Sequence, residues 1–236
     1  MKALIFAAGL GERMRPLTDR TPKPLLEAGG KPLIAWHLEK LSAIGVREVV
    51  INTSWLADQF PVALGDGARW DLRIEYLYEG DTPLETGGGM LNALPALGDA
   101  PFLLVNGDIW SDYDFARLPR EPRGLAHLVM VDPPGYATHG DFALDDDGQV
   151  RRDGARRLTY AGIGVYRPAL LDGWRAHADA DASVAGNGKP RFRLAPILRA
   201  HMDGGGIGGE RHAGHWTDVG TPQRLAQLGQ ALRGRR

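Results

Sequence analysis

The 236-residue sequence contains no cysteine. Disulfide bonds, thiolate metal sites and a thiol nucleophile are therefore excluded. No stretch approaches the roughly 18 consecutive apolar residues that a membrane-spanning helix needs, and no apolar segment of signal-peptide length follows Lys2. We therefore expect a cytoplasmic protein that does not act at a membrane.

A large excess of positive charge is also missing. The chain has 28 basic and 29 acidic residues, a net charge of −1. Because no broad positive field can attract nucleic acid, we expect no nucleic-acid partner, and an anionic ligand would have to be held by a local cluster. The Gly-X-Ser-X-Gly elbow of serine hydrolases is absent, and the seven histidines show no metal-ligand spacing.

What is present in the first half is an alternation of apolar runs and helical patterns. Strands are predicted over 2–7, 47–53, 72–78 and 100–108, with helices between them over 31–45, 54–65 and 87–97. This order predicts a parallel sheet with helices on both faces. Ligands of such sheets bind at the carboxyl ends of the strands.

The second half has a different pattern. Strand-like segments lie at 124–131, 140–144, 157–166 and 205–214, and helices are predicted over about 167–176, 195–203 and 222–232. Residues 177–193 are rich in Ala, Gly, Asp and Asn, so we expect a mobile loop there. The terminal Arg-Gly-Arg-Arg is expected to be a solvated tail.

The first strand runs into a glycine-rich loop, LIFAAGLGERMRPLT over residues 4–18. Gly9 and Gly11 allow backbone N–H groups to approach a ligand closely and to form an anion-binding nest. Arg13 and Arg15 add positive charge that suits phosphate. The spacing matches neither the dinucleotide nor the P-loop fingerprint, so the loop by itself is equally typical of a tight turn.

Two further residues favour a phosphate site. Lys23 stands between two prolines that restrict the backbone, which gives a stiffly held positive charge. Asp108 follows a strongly apolar strand, where a parallel sheet displays its ligand groups, and its carboxylate suits Mg²⁺. The alternatives are a surface lysine in a proline-rich loop and an aspartate that only caps the next helix.

Two other segments extend this pattern. Asp218 stands between Trp216 and a Gly-Thr-Pro turn, and it could be a second Mg²⁺ ligand or only a turn residue. Glu85, Thr86 and Gly87 lie at a glycine-rich helix start, whose exposed N–H donors could help to read a nucleobase. The alternative for this segment is a flexible hinge.

Taken together, the motifs resemble those of the sugar-1-phosphate nucleotidyltransferases. The signature segments stand here as AAGLGERMRPLT, TPKPLL, ETGGG, NGD and WTDVGTP, in the family order and spread over residues 3–222. A dinucleotide-dependent oxidoreductase does not fit the glycine pattern or the end of the second strand.

The resemblance implies an α/β fold with a Rossmann-like, mixed, mostly parallel central sheet flanked by helices, similar to glycosyltransferase A folds. It implies one domain over 1–236, in which about 1–110 bind the nucleotide and about 111–236 bind the sugar phosphate. The implied reaction uses Mg²⁺, takes UTP and a sugar 1-phosphate, and releases pyrophosphate. Monomer and homodimer both stay open.

The resemblance also implies roles for individual residues. The nucleotide would be bound by Ala8, Gly9, Gly11, Glu12, Arg13, Lys23, Glu85 and Gly87. Catalysis would depend on Arg13, Lys23 and Asp108. Mg²⁺ would be held by Asp108 and Asp218. The sugar phosphate would be bound by Asn106, Asp141 and Gly162.

Within the family, the segments look most like the uridylyltransferases that act on N-acetylmuramic acid 1-phosphate in peptidoglycan recycling. A mannose-1-phosphate guanylyltransferase, a glucose-1-phosphate uridylyl- or thymidylyltransferase and a non-catalytic nucleotide-sugar sensor stay open as alternatives. The Glu-Lys-Pro element with which several relatives reach the sugar phosphate is absent. In its place stand Arg151, Arg152, Arg156 and Arg157, while Lys189 and Arg191 could close over the acceptor or be solvated.

Overall fold

The structure is a computed structural model that describes residues 1–234. Arg235 and Arg236, which end the expected solvated tail, lie outside the described residues. The helices are α1 Leu33–Ala43, α2 Gln59–Leu64, α3 Glu85–Leu97, α4 Leu194–Met202 and α5 Pro222–Arg233. The strands are β1 Ala3–Phe6, β2 Glu27–Ala28, β3 Lys31–Pro32, β4 Glu48–Thr53, β5 Arg73–Tyr78, β6 Phe102–Asn106, β7 Ile109–Ser111, β8 Ala126–Val131, β9 Phe142–Leu144, β10 Val150–Arg151, β11 Arg157–Tyr166, β12 Ser183–Val184, β13 Pro190–Arg191, β14 Ile207–His212 and β15 Trp216–Asp218.

One nine-stranded sheet organises the chain. Its first part, in the order β5-β4-β1-β6, is parallel throughout. The long strand β11 then pairs antiparallel with β6 and with β8 and β9, and β14 joins β8 in parallel. The strands therefore share one direction except for β10 and β11, which confirms the mixed, mostly parallel sheet that the resemblance implies.

Helices cover both faces of this sheet, as its strands require. Leu4 of β1 points to a cluster formed with α3 and α4, whereas Ala3 and Ile5 point to a cluster formed with α1 and α2. Because successive strand residues face opposite sides, a continuous apolar run such as β1 is stable only between two packed layers. A third cluster, around Trp110, lies under α5.

The first half folds nearly as its sequence pattern predicts. All four predicted strands form, and α1 lies inside the predicted 31–45. The helix predicted over 54–65 shortens to α2. Pro61 is its third residue and lies in the first turn, where a missing N–H is tolerated. No helix within residues 1–234 combines the length and apolar character required to cross a bilayer.

One helix expected in the second half does not form, and the expected loop contains two short strands. The helix predicted over 167–176 is instead two short 3-10 turns, at Pro168–Leu171 and Trp174–Ala176. The expected loop over 177–193 contains a hairpin of β12 and β13, with Ala185 and Lys189 joined by a backbone hydrogen bond of 2.9 Å. Tertiary contacts stabilise this hairpin. The Gly- and Asn-rich composition of the segment does not predict it.

Candidate active site

The loop after β1 combines one open and one constrained glycine. A Cβ on Gly9 would meet no atom within 4 Å, so this backbone faces open space. Gly11 has φ +66°, and a Cβ there would lie 2.7 Å from Cγ2 of Thr18. Thr18 also donates its hydroxyl to the carbonyl of Gly11 at 2.8 Å. Gly11 therefore determines the conformation of the loop, while the absence of a side chain at Gly9 leaves the loop backbone accessible to a ligand.

The charged residues of the loop project outward. Glu12 and Arg13 begin a short 3-10 turn that is anchored by the buried Met14. Arg15 forms an ion pair with Asp19 at 3.3 Å, whereas Arg13 forms none with any residue among 1–234. Arg13 is therefore available to an anionic ligand, but it does not line the cleft described below.

Lys23 and Asp108 meet beside the loop. The ammonium lies 2.5 Å from Oδ2 of Asp108, and the Lys23 side chain is only 11% exposed. Pro22 and Pro24 on either side are buried, so the lysine stem is held on a stiff segment as its sequence predicts. The structure thus brings together two of the three predicted catalytic residues.

Asp108 lies in the turn between β6 and β7, beside Asp218 of β15. Asp218 pairs with Ile109 in the β7–β15 ribbon, and the N–H of Val219 donates to the Asp108 carbonyl at 2.8 Å. The two carboxylates have different partners, because Asp218 forms an ion pair with Arg224. Asp108 lines the cleft, and Asp218 does not.

This donor set fits Mg²⁺ in its chemistry. Two carboxylates at adjacent backbone positions are what Mg²⁺ takes from a protein when phosphate oxygens complete its coordination. Within residues 1–234, no group of three or more His, Asp or Glu side chains is arranged to hold a metal ion. The remaining ligands would therefore have to come from the substrate and water.

A cleft of about 390 Å³ opens at the carboxyl ends of β1, β4, β5 and β6. Six of the predicted site residues line it: Ala8, Gly9, Lys23, Glu85, Asn106 and Asp108. Four residues that are predicted to bind the nucleotide do not line the cleft: Gly11, Glu12, Arg13 and Gly87. The cleft therefore lies where ligands of parallel sheets bind, at the carboxyl ends of the strands, and the site residues stay a prediction.

The glycine-rich start of α3 differs from its prediction. The N–H groups of Gly87 and Gly88 donate to the carbonyl of Phe192 at 2.9 and 3.1 Å. A Cβ on Gly87 would lie 2.5 Å from the Phe192 ring. The expectation of exposed N–H donors is therefore wrong at these two residues, whose small size is needed for packing against the segment after β13.

Glu85 keeps its place in the cleft through an unusual backbone. It has φ +62°, a conformation that non-glycine residues rarely adopt. Its carboxylate accepts a hydrogen bond from Arg191 at 2.7 Å, and Arg191 also donates to the carbonyl of Pro83 at 3.2 Å. The 177–193 segment therefore packs against the loop that contains Pro83 and Glu85.

A buried polar pair beneath the cleft is absent from the sequence predictions. Asn52 accepts from the N–H of Ala7 at 2.7 Å and donates to Oε1 of Glu79 at 2.6 Å. The other oxygen of Glu79 accepts from the N–H of Leu84 at 2.8 Å. Burial raises the pKa of the Glu79 carboxyl, and the two hydrogen bonds oppose that shift. Asn52 and Glu79 lie at the ends of β4 and β5, so the strand-end rule applied to every strand would have found them.

A second cavity of about 190 Å³ joins the cleft. The two share Phe6, Thr86 and Asn106. Asp141 lines the second cavity, and its Oδ2 accepts from the N–H of Tyr160 at 2.9 Å. Gly162 has φ +72°, and a Cβ there would lie 2.6 Å from Nδ2 of Asn106. The three predicted sugar residues are therefore neighbours, although Gly162 acts by making room for Asn106.

The four arginines in place of the Glu-Lys-Pro element do not line either cavity. Each pairs with a carboxylate: Arg151 with Asp145, Arg152 with Asp203, Arg156 with Asp132 and Arg157 with Asp153. Lys189 does not line these cavities either. The arginines that do are Arg191 in the cleft and Arg199 in the second cavity.

Comparison with known proteins agrees with this geometry. The family model for nucleotidyl transferases matches residues 2–152. The chain is 47% identical to an N-acetylmuramate alpha-1-phosphate uridylyltransferase of Neisseria meningitidis, over 99% of both chains. It is 33% identical to a protein of the same name from Caulobacter vibrioides, over 94% of this chain and 92% of the other.

A solved structure supports the fold independently. A Bacillus anthracis protein assigned as a glucose-1-phosphate thymidylyltransferase, crystallised with sucrose, superposes with a TM-score of 0.84. The match covers 99% of this chain and 95% of that one at 19% identity, so it bears on the fold alone. With the family model matched over more than half of its length, and with a site at the expected strand ends, this chain belongs to the nucleotidyl transferase family.

Proposed function

We propose that this enzyme transfers a uridylyl group from UTP to N-acetylmuramic acid 1-phosphate, giving UDP-N-acetylmuramic acid and pyrophosphate. The observation that carries the proposal is the 47% identity to the Neisseria meningitidis uridylyltransferase over 99% of both chains. Two joined cavities, with Lys23 and Asp108 lining the larger, support it. The reaction would serve peptidoglycan recycling in the cytoplasm, where UTP is available.

Catalysis in this proposal is positioning and charge neutralisation. An oxygen of the acceptor phosphate attacks the α-phosphorus of UTP in line, and pyrophosphate leaves without a covalent enzyme intermediate. The exposed backbone at Ala8 and Gly9 would lie against the triphosphate. Lys23 would neutralise phosphate charge from a stem that is already ordered, and Arg13 would approach from the rim.

Mg²⁺ would be held by Asp108 and Asp218, and when bound it supplies positive charge to the phosphates. Lys23 and Arg224 keep the two carboxylates neutralised and oriented. Glu85 and the backbone beside it would meet the base, while Asn106 and Asp141 would bind the sugar. We place the UTP base toward Arg191 and the acceptor in the second cavity.

The test is pyrophosphate release by the purified protein, with each of UTP, GTP and dTTP crossed against a panel of sugar 1-phosphates. We expect turnover with UTP and N-acetylmuramic acid 1-phosphate in the presence of Mg²⁺. Turnover only with GTP and mannose 1-phosphate, or only with glucose 1-phosphate, would replace the proposed substrates. UTP binding without any pyrophosphate release would identify a nucleotide-sugar sensor instead.

A further inference from the structure

The second cavity has few charged groups. Of its lining residues, only Asp141 and Arg199 carry charge. The Asp141 carboxylate already accepts the N–H of Tyr160. The rest of the lining is apolar or neutral, with Phe142 and Leu198 among its buried members. Arg199 is therefore the one cationic residue in the lining that could bind an anionic group in this cavity.

Arg199 is held at the rim of the cavity by its helix. Leu194 and Leu198 of α4 are buried, and they fix the face of the helix from which Arg199 projects. The guanidinium lies over the ring of Phe142, 5.5 Å from its centroid. Arg199 forms no ion pair with any residue among 1–234, in contrast to the four arginines of 151–157.

The proposed acceptor has one anion more than a simple sugar phosphate. Its phosphate must reach the α-phosphorus of UTP, so it belongs near Lys23 and Asp108 in the first cavity. Its sugar then extends past Asn106, which the two cavities share. The lactyl ether of N-acetylmuramic acid ends in a carboxylate, and this second anion is left in the cavity that Arg199 borders.

We propose that Arg199 binds the lactyl carboxylate of the acceptor and thereby selects N-acetylmuramic acid 1-phosphate over N-acetylglucosamine 1-phosphate. This inference rests on the proposed acceptor. A guanidinium can bind a carboxylate through two parallel hydrogen bonds, and Asp141, the other charged residue of the lining, repels a carboxylate. The neutral sugar lacks the group that Arg199 would bind.

The experiment compares wild type with Arg199→Ala on two acceptors, N-acetylmuramic acid 1-phosphate and its lactyl amide, which has nearly the same shape without the charge. For the acid, we expect Arg199→Ala to lower kcat/KM by about 10- to 100-fold, mainly through KM, because a charge-assisted pair is lost. For the amide, the two proteins should agree within about threefold, since no ion pair exists to lose. Arg199→Glu should prefer the amide to the acid.

Arg156→Ala is the matched control. Arg156 is an exposed arginine of the same half that pairs with Asp132 and lines neither cavity. Its removal changes the net charge equally, so it should leave the acid-to-amide ratio unchanged. Thermal unfolding of each variant separates loss of binding from loss of folding.

The outcomes distinguish the inference from the proposed function. If wild type uses the acid and Arg199→Ala weakens the acid and the amide equally, the carboxylate assignment is overturned and the proposed function stands. The same holds if Arg199→Ala has no effect on either. If wild type does not use the acid at all, the proposed function fails, and the assignment of Arg199 fails with it.

Discussion

The proposed nucleotide side and the proposed acceptor side of the cleft are assembled in different ways. The nucleotide side draws on the loop after β1, the rigid segment around Lys23 and the ends of parallel strands, and a buried pair, Asn52 and Glu79, ties these parts together. The acceptor side draws on β9, β11 and α4, and most of its arginines pair on the surface. The first is held together by internal hydrogen bonds, whereas the second is a cavity bordered by Arg199, which has no ion-pair partner among residues 1–234.

This difference predicts that substitutions on the nucleotide side affect turnover with every acceptor, whereas those on the acceptor side affect the choice of acceptor. Five substitutions test the nucleotide side, and substitutions of Arg199 and Asp141 test the acceptor side.

The largest effect is expected for Asp108→Ala. It removes the carboxylate that pairs with Lys23 and that is also the proposed metal ligand. The kcat should therefore fall by about 100- to 1,000-fold. UTP binding, measured by calorimetry, should stay detectable because the loop and Lys23 remain. Asp141→Ala is the comparison on the acceptor side, and it should raise the acceptor KM more than it lowers kcat. Turnover retained by Asp108→Ala would contradict the proposed site.

A second test uses His37, which supports the strand that follows Asp108. His37 is buried, stacks on Phe115 and lies with Nε2 3.0 Å from the Ile109 carbonyl. Burial and the neighbouring Lys40 lower its pKa to about 4. The unfolded chain therefore binds the proton more readily, and stability that is present above pH 6.5 is lost as the pH falls toward 4.

For His37→Gln, the pH dependence of unfolding should become shallower. The His37 contribution to the free energy of unfolding should decline by about 3 kcal/mol between pH 6.5 and 4 in wild type and be missing in the variant. Urea unfolding across this range measures the difference between the two proteins. The difference at pH 8 reports lost contacts, since His37 is neutral there. An equal pH slope in both proteins would show that His37 does not titrate as its burial requires.

Substitutions of the two loop glycines form a matched pair, and we expect effects of intermediate magnitude from them. Gly11→Ala forces a left-handed residue with a clash against Thr18, and it should cost about 1–2 kcal/mol of stability. Gly9→Ala meets no protein atom, so it should fold like wild type and instead weaken UTP binding. Thermal unfolding and calorimetry of both variants separate these outcomes. Equal unfolding temperatures for the two would contradict the assignment of shape to Gly11 and access to Gly9.

The smallest effect is expected for Arg191→Ala. Arg191 comes from the second half of the sequence but donates hydrogen bonds to Glu85 and to the Pro83 carbonyl at the cleft. Its loss should raise the KM for UTP by about three- to tenfold and leave the KM for the acceptor nearly unchanged. Arg175→Ala, an exposed arginine on Trp174, is the control. A change confined to the acceptor KM would instead place Arg191 on the acceptor side.

Much of the nucleotide side could be predicted because its signals are local. The run 2–7, the prolines around Lys23 and the position of Asp108 after a strand each act within a few residues. Asn52 and Glu79 were missed because a single polar residue at a strand end has no motif around it. The contact of Arg191 with Glu85 and that of Arg199 with Phe142 were not predicted because these residues lie far apart in sequence; Glu85 and Arg191 are 106 residues apart.

The sequence by itself therefore determined the alternation of strands and helices, the stiff lysine, the open glycine loop and the family to which they belong. Only the tertiary structure decided that the 177–193 segment packs on the loop around Glu85 and that Gly87 is small for packing against Phe192. It also decided that four arginines pair with carboxylates at the surface, whereas Arg199 has no ion-pair partner among residues 1–234. The physical reason is that periodicity and backbone restriction are properties of neighbouring residues, whereas pairing of charges and filling of space depend on which distant segments the sheet brings together.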